Sequence, residues 1–247
     1  MSNNNNYRCI NCGTRVKDLF HKLSSGLLTC VCSNCNEVVD KYIEHDSVLI
    51  FLDALLLKTQ AFRHILHNRS RKTVWKITLT FLLIETLARV INSSKVISKW
   101  NNPDAEFYTI LVTEFLYMFV EVALEQITGV LVIVCLSKMY SDLMKIPHPG
   151  MKPLLTGLFF SYFLCNVFIP LVSLWGGNYR SWCCALIQLF IHLSKIQVLR
   201  VICNYGYFTA TVITLMGYGS QLLLFYCRTG ELFRYYIHNI WQLCCYY

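Results

Sequence analysis

Charge is what this 247-residue chain has little of: Asp, Glu, Lys and Arg make up 15% of it, against about 25% in soluble domains. With 55% hydrophobic residues and a mean hydropathy of +0.44, that scarcity excludes an ordinary water-soluble globule. Catalytic signatures are missing as well. There is no Gly-x-Ser-x-Gly elbow and no intramembrane His-x4-Asp pair, so no catalytic residue is expected and the chain reads as a non-enzyme. The opening MSNNNNYRC lacks a basic stretch followed by an apolar one, so no cleaved signal peptide is expected.

The formal charge of +8 raises nucleic acid as a partner, but the cations stand in the wrong place for it. Lys58, Arg63, Arg69, Arg71, Lys72 and Lys76 gather just ahead of the first long apolar run. Basic residues there orient a span and attract anionic headgroups. No nucleic-acid partner is expected.

The fold class this predicts is an all-α polytopic membrane protein with a small zinc-ribbon head. A bilayer crossing needs about 20 mostly apolar residues, and runs of that length fall at 74–94, 109–137, 154–175, 182–203 and 206–227. The fourth carries His192, Lys195 and Arg200 and could lie at the interface, so four or five crossings are expected. Gly206, Gly217 and Gly219 punctuate the fifth and would permit close helix contact. Three divisions follow: a ribbon at 1–45, an interfacial helical segment at 46–72, and the transmembrane domain at 73–247.

The head has the residues for a metal. Cys9-Ile-Asn-Cys12 and Cys32-Ser-Asn-Cys35 are two CxxC turns separated by a loop of zinc-ribbon length. Each turn aims two sulfurs at one point, and four thiolates complete a tetrahedron around a structural Zn2+. Such a sphere is closed and leaves no position for a catalytic water. Gly13 and Asn36 follow the two pairs and suit the left-handed conformation that turns amides toward the sulfurs. Cys30 is the odd cysteine and is expected to be a bystander. Disulfide or redox pairs are the rival reading, but no βαβ pattern surrounds either CxxC, and a tetrathiolate suits the reducing cytosol.

Val48 to Leu57 is too short to span and is expected to lie at the interface. In Lys58 to Arg69, Phe62, Ile65 and Leu66 share one face and basic groups the other, which predicts a helix at headgroup level. His64 and His67 are expected to face solvent or headgroups.

The order CxxCG, CxxC, EVVDKYIEHD and VLIFLDALLLKTQAFRHILHNR, from Tyr7 to Arg69, resembles the ARV homology domain of the ARV family. Ser47 and Thr59 stand where that family commonly has proline, and Asn36 where it has glycine; none of these removes a ligand. The resemblance implies a multi-pass endoplasmic-reticulum membrane protein of sterol homeostasis, acting in intracellular sterol transport and distribution and in sphingolipid balance. Its expected partners are sterols and other membrane lipids. The alternative it implies is a non-catalytic accessory subunit of a membrane complex for glycosylphosphatidylinositol (GPI)-anchor synthesis, with membrane proteins as partners.

Within the body, Glu114, Glu121 and Glu125 share one helical face of the second run. Acidic groups at membrane depth usually face a bundle interior or wet cavity. They are read as a polar seam that could pair with His192, Lys195 or Arg200, or as carboxylates of a long helix reaching into water. Glu85 and Arg89, one turn apart in the first run, are able to pair. Lys138, Lys145 and Lys152 fall on the cytosolic side if the head is cytosolic, as the positive-inside tendency prefers.

Overall fold

A computed structural model describes residues 7–23, 26–69, 74–91, 93, 96, 98, 105–147, 149–166, 168, 169, 171, 172 and 179–229. The chain divides into two compact units, Met1–Ala88 with His148–Ala210 and Arg89–Pro147 with Thr211–Tyr247.

The first unit begins with the head. Strand β1 (Tyr7–Arg8) pairs antiparallel with β2 (Arg15–Val16), β3 (Phe20–Leu23) with β4 (Gly26–Thr29), and a lone bridge joins Val31 to Val38. Its core is small: Cys9, Leu19, Cys32 and Val39 are buried, with Tyr7, Val16 and Ile43 packed around them. So little apolar burial does not hold a domain of this size by itself, and half of that core is cysteine.

A 3-10 turn (Lys41–Glu44) leads to α1 (Ser47–Leu55), and the chain reverses at Leu57, a non-glycine residue at φ 56. Helix α2 (Thr59–Arg63) then runs straight into a π-helical turn at His64–Asn68. The nine residues of α1 fall well short of a span, and Val48, Leu49, Leu52 and Leu56 are exposed along it. Beyond Leu57 the arrangement differs from the expected headgroup helix. Phe62 and Leu66 are buried, with the Phe62 ring edge-on to Phe160 at 5.9 Å. Arg63 reaches back to the head, because buried carbonyls there require donors. His64 is buried as well.

Helices α5 (Met151–Asn166) and α6 (Arg180–Cys203) complete this unit. A Cβ on Gly157 would stand 2.6 Å from Ile202 Cδ1 and 2.7 Å from Val198 Cγ1, so only glycine permits this approach. Helix α6 stops at Asn204 in the left-handed conformation, φ 58, a common helix C-terminal device.

In the second unit the main element is α4 (Ala105–Met144), with 40 residues. At 1.5 Å per residue this is about 60 Å, twice the roughly 30 Å of hydrocarbon in a bilayer, so part of α4 extends beyond the apolar layer. Helices α3 (Val74–Ile91) and α7 (Tyr207–Thr229) each carry the chain from one unit into the other. Of the three glycines in the fifth expected run, Gly217 makes a close contact: its Cβ would fall 2.5 Å from Ile133 Cγ1, whereas Gly206 and Gly219 face open space.

Three described helices are long and apolar enough to cross a membrane: Phe107–Met144, Trp182–Cys203 and Tyr207–Cys227. The run at 182–203 is therefore among them despite its basic residues. The runs at 74–94 and 154–175 contain α3 and α5, of 18 and 16 residues. Residues 92, 94, 167, 170 and 173–175 of those runs lie outside the described residues, as do 1–6, 24 and 25 of the head and 70–72 of the interfacial segment. Four or five crossings stands as an approximate number.

Candidate metal centre and the polar network behind it

Both CxxC turns take the same backbone form. Gly13 N–H donates to Cys9 O and Asn36 N–H to Cys32 O, each at 2.9 Å, while Cys9 N–H bonds Thr14 O at 2.9 Å and Cys32 N–H bonds Glu37 O at 2.8 Å. Gly13 at φ 80 and Asn36 at φ 57 supply the left-handed positions anticipated from their residue types. Two like knuckles thus face each other. Cys9 and Cys32 lie in the core, and Cys12 and Cys35 lie closer to the surface.

The four sulfurs lie within 4.8 Å of one another. Cys9 Sγ is 3.7 Å from Cys35 Sγ, and Cys12 Sγ is 3.7 Å from Cys32 Sγ. These are not disulfides, whose sulfurs are about 2.05 Å apart. A tetrahedron with metal–sulfur bonds of about 2.3 Å has edges of about 3.8 Å, so the residues fit an ion. Burial pushes the Cys9 thiol up to about 12, while the Thr14 hydroxyl, 3.2 Å from Cys12 Sγ, brings Cys12 down to about 5. A bound cation deprotonates such thiols. Cys30 stands outside the cluster, its backbone bonded to Leu19 O and Val39 N.

Behind the knuckles lies a buried network that residue patterns did not reveal. Asp40 is fully buried. It accepts from Tyr42 N–H at 3.0 Å and Asn68 Nδ2 at 2.6 Å, and its Oδ2 is 2.7 Å from His64 Nδ1. Asn68 also exchanges two hydrogen bonds with the Arg8 backbone, at 3.0 and 2.9 Å. The Tyr42 hydroxyl donates to Asp53 at 2.7 Å, and Lys58 Nζ donates to the other Asp53 oxygen at 2.8 Å. The Arg63 guanidinium donates to Ile10 O at 2.9 Å and to Asn11 O, and Gln60 bonds the Asn11 side chain. The segment from Tyr42 to Asn68 therefore grips the first knuckle and is part of the same folded body. His64 and His67 point to different partners, since His67 Nε2 lies 3.5 Å from Val201 O.

The membrane carboxylates fall in both units. In the first unit, Glu85 accepts from the Tyr162 hydroxyl, and both are buried. In the second, Arg89 makes two bonds to Glu125, Nη1 to Oε1 at 3.2 Å and Nη2 to Oε2 at 2.8 Å. Arg89 is thus engaged with Glu125. Glu114 accepts from Ser93 Oγ at 3.5 Å. Glu114, Glu121 and Glu125 are all buried on α4, a shared face in accord with their spacing.

A four-cysteine knob whose sulfurs are placed to hold a metal ion, joined to apolar helices long enough to span a bilayer, defines a class: a membrane protein with a cysteine-cluster head. Residues 8–199 match the Arv1-like family, and the chain belongs to it. It is 34% identical to Protein ARV1 of Homo sapiens over 200 residues, covering 80% of this chain and 73% of that one. Against Protein ARV1 of Mus musculus it is 32% identical over 212 residues, 85% of this chain and 79% of the relative. Protein ARV 2 of Arabidopsis thaliana is 30% identical over 179 residues, 68% and 72% of the two chains. No solved structure matches.

Proposed function

We propose that this chain is a non-enzymatic mediator of sterol homeostasis in the endoplasmic-reticulum membrane, acting in sterol transport and distribution and in sphingolipid balance. Its partners are sterols and other membrane lipids. The observation that carries the reading is the intact ARV-type head: both knuckles, the four clustered sulfurs and the segment ending in HILHN form one interlocked body with α5 and α6.

In this reading the metal is Zn2+ and its work is structural. Cys9, Cys12, Cys32 and Cys35 hold it, and four thiolates leave no open position for a reacting water. A reduced tetrathiolate suits a cytosolic head, and Lys138, Lys145 and Lys152 fit the same orientation. The membrane helices contact lipid while the head fixes how α1 and α2 sit on them.

The test is expression in cells that lack their ARV-family protein, with sterol distribution between endoplasmic reticulum and plasma membrane read by a sterol-binding reporter. Restoration by the wild-type chain, and its loss in the Cys9→Ser variant, is expected. Normal sterol distribution with or without the chain would refute the reading.

A further inference from the structure

Asn166, the last residue of α5, is 1% exposed, and both polar atoms of its side chain lack a hydrogen-bond partner among the described residues. Buried carboxamides are rarely left so, because an unmade hydrogen bond is costly. The register of α5 on α6 shows what surrounds it. Gly157 faces Val198 and Ile202, whereas Phe168, just beyond α5, shares a cavity with Leu186, Ile187 and Phe190. The two helices therefore run antiparallel, which places Tyr162 level with Lys195 and Asn166 level with Ile191.

On one side of Asn166 lies a polar group. Tyr162, one turn back on the same face, donates to Glu85, and Glu85 acts electrostatically on Lys195. All three are nearly fully buried. On the other side lies a half-open cavity of about 510 Å³, bordered by Leu55, Leu56 and Leu57 and lined by leucine, isoleucine and phenylalanine alone. Binding sites for small ligands run from about 300 to 1,000 Å³.

We propose that the seam between α5 and α6 binds one amphipathic lipid, with its hydrocarbon body in the cavity and a single hydroxyl on Asn166. A hydroxyl both donates and accepts, which is what a carboxamide lacking both partners requires. Glu85 and Lys195 are of opposite formal charge, so this group singles out neither a phosphate nor an ammonium headgroup. Ile187 stands about 6 Å along α6 from the level of Asn166, so one small lipid reaches both. Assigning the ligand to lipids rests on the function proposed above.

The experiment uses the full chain in phosphatidylcholine nanodiscs, with a photoactivatable cholesterol as the single-hydroxyl probe and a photoactivatable phosphatidylcholine as control. Cholesterol adducts are expected on Leu55–Leu57, Phe168 or Leu186–Phe190. Asn166→Leu should cut their yield by about tenfold, the weight of one buried hydrogen-bonding group, with the unfolding temperature unchanged or raised. Ile187→Trp, which fills the cavity and leaves Asn166 in place, should cut it as well. Equal labelling of Asn166→Leu and wild type would mean that the amide holds only a water, and equal labelling by both probes would mean an unselective groove. Either result overturns the inference. If Asn166→Leu restores sterol distribution in null cells and labels like wild type, the site fails while the function stands. Asn166-dependent labelling by a chain that restores nothing would support the site and refute the function.

Discussion

The Asp40 carboxylate, with no exposed surface, lies 2.7 Å from the imidazole of His64, a residue 24 positions along the chain. That contact fastens the metal head to the segment that packs on α5. Removing the carboxylate leaves the His64 nitrogen and the Tyr42 N–H without this partner and takes one of its hydrogen bonds from the Asn68 amide.

Asp40→Ala is therefore expected to destabilise the first unit by about 3 kcal/mol, as buried partners left unpaired generally do. Asp40→Asn keeps the shape but turns one acceptor into a donor facing Asn68 Nδ2, so it should recover little. Thermal unfolding in detergent, or protease cleavage of the head, measures this; an unchanged midpoint for Asp40→Ala would show that the network contributes nothing.

Metal content separates the five head cysteines. Serine substitution of Cys9, Cys12, Cys32 or Cys35 should each abolish stoichiometric zinc, because one missing thiolate opens the tetrahedron. Cys30→Ser should retain it, since its sulfur is outside the cluster of four. Elemental analysis of the purified proteins decides. Retention of full zinc by any of the four would remove that residue from the ligand set.

What could be read ahead of the structure was what is local in sequence. Gly13 and Asn36 betray the knuckles because a CxxC turn fixes the conformation of the residue just after it. The shared face of Glu114, Glu121 and Glu125 follows from helical period alone. Asp40, His64 and Asn68 were illegible for the opposite reason. They meet across 24 and 28 residues, and in a polar, charged stretch each looks like a solvated surface group. Nor did anything in the sequence point to Glu125 as a partner of Arg89, because the two stand 36 residues apart on different helices and only packing joins them. Hydropathy marked Phe62 and Leu66 as apolar but could not say that they face Phe160 and Gly157 instead of lipid.

Acid should loosen the head in part through Asp53. The hydrogen bond from Lys58, then that from Tyr42, holds its carboxyl below the usual carboxylate range. The folded value lies beneath the unfolded one, about 4. This stabilisation is therefore complete above about pH 4 and disappears as pH falls through the depressed folded value. Lys58→Met should raise the pH at which acid unfolding begins. It should cost under about 1 kcal/mol at neutral pH, since the Lys58 side chain is 51% exposed. Zinc also leaves in acid, so the readout is the difference between variant and wild type followed by intrinsic fluorescence. Superimposable acid curves would refute the role of the pair.

Arg89 and Glu125 offer a test within the second unit. Glu125 is buried and Arg89 partly so, and an isolated buried charge is expensive. Arg89→Met alone should destabilise by roughly 3 kcal/mol, whereas Arg89→Met with Glu125→Leu should recover most of that loss. Strictly additive costs in the double variant would mean that the two side chains do not interact in the bilayer.

Arg63 carries the last expectation, because it joins metal retention to the segment after the ribbon. Its guanidinium donates to the carbonyls of Ile10 and Asn11, the two residues between Cys9 and Cys12, and lies 3.5 Å from where a Cβ of Gly13 would be. Those carbonyls have to point away from the sulfurs for the knuckle to present both thiolates. Groups that orient ligands from behind typically change metal affinity 10- to 100-fold. Arg63→Ala should therefore accelerate zinc release to a chromophoric chelator by about tenfold, although Arg63 touches no sulfur. Arg63→Lys should restore the rate only partly, because an ammonium lacks the planar fork that serves adjacent carbonyls. Release at the wild-type rate from Arg63→Ala would show that the knuckle keeps its form without the clamp.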